Sequence, residues 1–136
     1  MPYRTAFFDI GNTLGQVTQE RDALQLRSFA TTRKLLQSFR EALGLRVGII
    51  TNSGPFGPDD IRGMLDRAGL ADFFEPALVV TSAETGMQKP EVQIYLAAAE
   101  RAGVMIGECL YVGDDANEVE GAQNAGMGGL LKPVPT

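Results

Sequence analysis

The chain has 136 residues, which at about 100–200 residues per domain predicts a single domain over residues 1–136. It is 44% hydrophobic and 21% charged, a globular composition, and twelve basic against seventeen acidic residues give a net charge of −5, which argues against a nucleic-acid partner. Histidine is absent and cysteine occurs once, so Ser-His-Asp and Cys-His catalysis, His-ligated zinc and an intrachain disulfide are all excluded.

The opening MPYRTAFFDI lacks the pattern of a secretory leader. No apolar run reaches the ~18 residues of a membrane span. A cytoplasmic location with no membrane partner is therefore expected. Ala6-Phe7-Phe8 reads as a first strand running into Asp9. Residues 15–30 are expected to form a short flap or vestigial cap, too small for a separate domain. Arg21, Arg27, Arg33 and Lys34 read as a solvated basic face, or as one residue reaching over a phosphate.

Leu35, Leu36, Phe39 and Leu43 recur at helical spacing, and Gly44 stops the pattern. Val47–Ile50 is a second strand, followed by Thr51-Asn52-Ser53. Ile61, Met64, Leu65 and Ala68 mark a second helix, with Pro58 in its first turn and Gly69 as its stop. Phe73-Phe74 is expected to pack under the sheet. Ala77–Val80 is a third strand, and Lys89 lies in the loop beyond it. EVQIYLAAAERAG is a third helix ending at Gly103. Cys109–Val112 is a fourth strand, with Cys109 a small core residue, and it runs into Asp114 and Asp115. A helix over 117–125 ends at Gly126, and Gly129–Leu131 is a weaker fifth strand. Apolar runs without alternation fit strands covered on both faces. The β-α-β order predicts an α/β fold, an open parallel sheet with helices on both sides.

Ligands of such sheets bind beyond the carboxyl ends of the strands. Asp9, Thr51, Lys89 and Asp114 fall at those ends, directly or through a loop. One such residue is ordinary turn chemistry, but four of these types together suit phosphate chemistry. Asp9, Asp114 and the Gly11 carbonyl offer oxygen ligands for Mg²⁺. Thr51 offers a hydroxyl, Asn52 a backbone N–H, and Lys89 a charge for phosphoryl oxygens. Asp9 could then act as nucleophile. Ser53 is a secondary phosphate contact or a loop former.

The motifs FFDIGNTL, IITNS, MQKPEVQIY and VGDDANEVEGAQNAGM, in this order, resemble the haloacid dehalogenase superfamily. The resemblance runs from Ala6 to about Leu131. It implies a Rossmann-like, three-layer domain of about five strands in the order 5-4-1-2-3. It also implies Asp9 as nucleophile, with Thr51 and Lys89 catalytic, and Thr51, Asn52 and Lys89 on the phosphate. Asp9, Gly11 and Asp114 would lie at Mg²⁺. Glu118 would support the metal or Lys89, and Asp115 would do the same or cap its helix.

Two departures shape the expected activity. The aspartate that serves the family's phosphatases as general acid and base, two residues after the nucleophile, is here Gly11. General acid–base catalysis typically contributes 10²–10⁴-fold, so turnover should be slow unless Asn12, Thr13 or a water at the metal stands in. Also, only about 36 residues separate the first two motifs, too few for the usual cap. An open site suits a large phosphorylated substrate, or cover by a second copy of the chain. The expected function is Mg²⁺-dependent phosphomonoester hydrolysis through an aspartyl-phosphate. The alternatives are a catalytically weak binding or assembly protein and, ranked lower, dehalogenase chemistry.

Overall fold

The computed structural model describes residues 2–135. Its centre is a parallel sheet of five strands: β1 (Thr5–Phe8), β4 (Arg46–Thr51), β5 (Val79–Thr81), β6 (Cys109–Gly113) and β7 (Gly128–Leu131). Their order in space is β5-β4-β1-β6-β7. Counting only these strands along the chain, that is the expected 5-4-1-2-3. The labels shift because a separate antiparallel hairpin, β2 (Gly15–Glu20) and β3 (Ala23–Ser28), intervenes. The helices are α1 (Thr32–Gln37), α2 (Pro58–Arg67), α3 (Ser82–Thr85), α4 (Val92–Ala102) and α5 (Ala116–Ala125).

Alternation along each strand divides the core between the two faces of the sheet. Ala6, Phe8, Val47, Ile49 and Val112 pack with Leu36 of α1 and with Ile61, Met64 and Leu65 of α2. Phe7, Ile50, Val80, Cys109 and Tyr111 pack with Ile94, Tyr95 and Ala98 of α4 and with Val119 and Ala122 of α5. Burying a Phe side chain stabilises by about 1.5–3 kcal/mol, so adjacent Phe7 and Phe8, both fully buried, anchor the two layers from one strand. Cys109 is buried, as expected. Among the described residues, no helix is long and apolar enough to cross a membrane.

Three local features differ from the sequence reading. The helix expected to run on through Leu43 widens into a π-type turn at Ser38–Ala42, where the Leu43 N–H donates to the Ser38 carbonyl at 3.0 Å. The wider turn rotates Leu43 off the apolar stripe to 60% exposure, and Leu45 enters the core instead. The third strand starts later than expected, because Pro76–Leu78 form a 3-10 turn. Leu78 there presses on β4 at Gly48, where an added Cβ would lie 2.8 Å from the Leu78 Cβ.

The third feature is that the expected flap region is built as an antiparallel hairpin, two strands that the sequence reading did not assign. Its two-residue turn is Arg21-Asp22, with Arg21 at φ 58°. Arginine seldom adopts that conformation, so the turn carries no Asn-Gly or Asp-Gly signal. Leu24 and Leu26 pack on the α1/α2 layer, and the Arg67 guanidinium donates to the Leu24 carbonyl at 2.6 Å, tying the hairpin to α2.

Candidate active site

The carboxyl ends of β1, β4 and β6 and the loop after α3 meet at a cavity of about 430 Å³. Asp9 reaches it because the β1 ladder extends one residue past the strand, where the Asp9 N–H donates to the Val112 carbonyl at 2.9 Å. The chain then turns sharply. The Thr13 and Leu14 N–H groups both donate to the Ile10 carbonyl, and Asn12 takes φ 64°. Asparagine is one of the few residues that tolerates this conformation.

Lys89 is 4% exposed, and its ammonium is fully engaged. It lies 2.9 Å from Asp9 Oδ1, 2.8 Å from Glu118 Oε1 and 2.8 Å from the Tyr111 hydroxyl. An ammonium has three donors, so each N–H has an acceptor. The Tyr111 hydroxyl in turn donates to Glu118 Oε1 at 3.0 Å, and Tyr95 donates to the Glu118 carbonyl at 2.7 Å. Burial, and then the neighbouring carboxylates, push both phenols well above the ordinary tyrosine range. Both therefore stay neutral donors.

The Asp9 carboxyl is shifted upward. Burial raises it most, Lys89 opposes that shift, and contact with Asp114 adds to it. The Asp9 and Asp114 carboxylates and the carbonyl of Gly11, a residue that also borders the cavity, are hard oxygen donors. They fit a divalent cation that would relieve the crowding of charge between Asp9 and Asp114. Among the described residues, no group of three or more Asp, Glu, His or Cys side chains is arranged to hold a metal. This site offers two carboxylates and a backbone oxygen.

The expected site residues fall as follows. Asp9, Gly11, Thr51, Asn52, Lys89, Asp114, Asp115 and Glu118 all border the one cavity. The Asn52 side chain is committed to the Lys89 backbone, donating to its carbonyl at 3.0 Å and accepting from its N–H at 2.9 Å. Asp115 caps α5, accepting from the N–H groups of Asn117 and Glu118. Glu118 pairs with Lys89. Ser53 Oγ is buried beside the cavity without a partner.

Arg21, Arg27, Arg33 and Lys34 do not border the cavity. Arg33 stacks over Phe73 at 5.3 Å instead. Thr13 cannot stand in for the missing acid, since it is fully buried and donates to Asp114 Oδ1 at 3.3 Å. The sequence reading missed Tyr111. A tyrosine inside an otherwise aliphatic strand needs a polar partner for its hydroxyl, and that signal was present in CLYV.

The haloacid dehalogenase-like hydrolase family matches residues 4–126. The chain belongs to this family. The chain is 35% identical over 105 residues to phosphatase MT3486 of Mycobacterium tuberculosis, covering 77% of the chain and 46% of that protein. It is 34% identical over 120 residues to the glyceraldehyde 3-phosphate phosphatase of Methanothermobacter thermautotrophicus, covering 87% of the chain and 50% of that protein. Among solved structures it resembles a HAD phosphatase from Thermococcus onnurineus, with a TM-score of 0.63 and 36% identity over 75% of this chain and 45% of that one. The chain thus spans about half the length of the curated relatives it matches.

The close fit of α5 against the lysine loop explains the glycine of its GAQNAG segment. A Cβ at Gly121 would lie 2.5 Å from the Pro90 carbonyl. Any larger residue would push α5 and Glu118 away from Lys89.

Proposed function

We propose that this hydrolase cleaves phosphomonoesters, with Asp9 as nucleophile and Mg²⁺ as cofactor. The observation that supports this most is the buried Lys89 ammonium holding Asp9 Oδ1 at 2.9 Å, at the edge of a cavity that also presents Thr51 and Asp114. Asp9 attacks phosphorus, the bond from phosphorus to the ester oxygen breaks, and the leaving oxygen takes a proton from water. Water then attacks the aspartyl-phosphate, returning Asp9 and releasing inorganic phosphate. Lys89 keeps the Asp9 carboxylate oriented and offsets charge on the transferring group.

The Thr51 hydroxyl and the Asn52 N–H bind phosphoryl oxygens, with Ser53 beside them at the edge of the cavity. Asp9, Asp114 and the Gly11 carbonyl would hold Mg²⁺, which supplies positive charge next to the phosphoryl oxygens. No carboxylic acid stands two residues beyond Asp9, so the leaving group departs without help and turnover is slow. The open cavity leaves room for a large substrate.

The test is hydrolysis of p-nitrophenyl phosphate with Mg²⁺, alongside Asp9→Asn. Turnover should require the metal and vanish in the variant. Equal rates in both proteins would overturn the proposal and favour a binding role for the fold.

A further inference from the structure

The cavity is lined by apolar as well as charged side chains. Besides the charged groups described above, Val17 and Leu24 of the hairpin and Phe56 of the loop before α2 present apolar surface to it, and the nearly fully buried Ile61 and Met64 of α2 also border it. Resting on the phosphatase reading, we infer that the substrate is an aryl phosphate whose leaving group carries no second anionic charge.

Three observations converge on this class. First, a polyhydroxylated leaving group would set its hydroxyls against these apolar side chains, whereas an aromatic ring buries apolar surface there. The volume of about 430 Å³ accommodates a ring together with a phosphoryl group. Second, the charged side chains around the cavity are Asp9, Asp114, Asp115 and Glu118 against Lys89 alone. The three N–H groups of Lys89 are already directed at Asp9, Glu118 and Tyr111. No arginine borders the cavity, and the two on nearby α2 are engaged elsewhere: Arg67 with the Leu24 carbonyl, Arg62 with Asp59 and the Pro76 carbonyl. With Mg²⁺ bound, the four carboxylates still outnumber the cationic charge by one, and no further cationic side chain borders the cavity to pair a carboxylate or second phosphate on the leaving group.

Third, Gly11 supplies no proton. A phenol has a pKa of about 10, while an alkyl alcohol lies nearer water at about 15.7. An aryloxide can therefore depart as the anion, and an alkoxide does so poorly. In the reaction the bond from Asp9 to phosphorus forms, the bond from phosphorus to the aryl oxygen breaks, and the aryloxide takes its proton from water.

The test uses non-hydrolysable phosphonates, titrated calorimetrically into the full chain in Mg²⁺ buffer, with hydrolysis assays alongside. Benzylphosphonate should bind at least tenfold tighter than phosphonoacetate. Phenyl phosphate should exceed glycerol phosphate and phosphoglycolate in kcat/KM by at least a hundredfold. Val17 is 37% exposed on the hairpin, so Val17→Lys should fold normally. It should weaken benzylphosphonate and tighten phosphonoacetate, each severalfold, and Leu24→Ser should weaken benzylphosphonate alone. Equal binding of the two phosphonates, with hydrolysis intact, would overturn the aryl assignment and leave the phosphatase standing. No hydrolysis of any ester, with Asp9→Asn indistinguishable from wild type, would bring down both.

Discussion

Asn52 and Lys89, 37 positions apart, hold each other through two reciprocal hydrogen bonds: Asn52 Nδ2 donates to the Lys89 carbonyl at 3.0 Å, and the Lys89 N–H donates to Asn52 Oδ1 at 2.9 Å. The pair fixes the loop backbone directly behind the buried ammonium. Misplacing a catalytic group by about 1 Å can cost on the order of 10²-fold in rate. Asn52→Ala should lower kcat by about tenfold or more. It should also cost about 1–3 kcal/mol of stability, because the Lys89 N–H and carbonyl lose their partner at a part-buried site. Steady-state kinetics and a thermal melt check this together. An unchanged kcat would show that the clamp does not position Lys89.

Gly11 has space around it. Nothing lies within 4 Å of a Cβ built there. Gly11→Asp should therefore fold without strain and place a carboxyl at the cavity. Hydrolysis of alkyl phosphates should rise by about 10²-fold, the lower end of general acid catalysis. Aryl phosphates should gain much less, since their leaving groups need no proton. An unchanged rate with alkyl esters would show that the missing carboxyl is not what limits turnover.

The Tyr111 hydroxyl joins Lys89 to Glu118 deep under the sheet edge. Hydrogen bonds to charged groups contribute about 1.5–3 kcal/mol each, and removing one partner leaves the other unsatisfied. Tyr111→Phe should destabilise the protein by about 2 kcal/mol, read as a lower urea midpoint at unchanged slope. The kcat should fall severalfold as the ammonium loses one of its three anchors. A midpoint equal to wild type would remove Tyr111 from the network.

Burial first, and Glu108 second, push the Cys109 thiol up to about 11. The unfolded thiol releases its proton at lower pH, so above about pH 8.5 the unfolded state binds fewer protons than the native state. Stability contributed by Cys109 is complete below that pH and is lost as pH rises towards 11. Cys109→Ala should flatten that alkaline decline in urea-melt midpoints. In the native protein at pH 8 the thiol should resist iodoacetamide, and it should react promptly once unfolded. Fast native alkylation would contradict the burial.

The sheet strands were legible because each is a short apolar run, and the helix ends because Gly69, Gly103 and Gly126 stand where the chain takes positive φ. The polar cavity residues Asp9, Thr51, Lys89 and Asp114 were legible because each follows a strand or a marked loop. The hairpin was not, because its turn depends on Arg21 in a conformation no local preference favours. Leu43 misled because one wide helical turn shifted the register of its stripe.

Taken alone, the amino-acid order determined the succession of the five sheet strands and the main helices between them, and the polar residues that follow the strands. Those follow from preferences acting over a few neighbouring positions. Only the tertiary structure decided that the Lys89 ammonium would be shared among Asp9, Glu118 and Tyr111, that Asn52 would grip the lysine loop, and that apolar side chains of the hairpin and α2 would line the same cavity as the charges. These are contacts between residues up to 80 positions apart. They depend on the packing of whole layers, which no local pattern records.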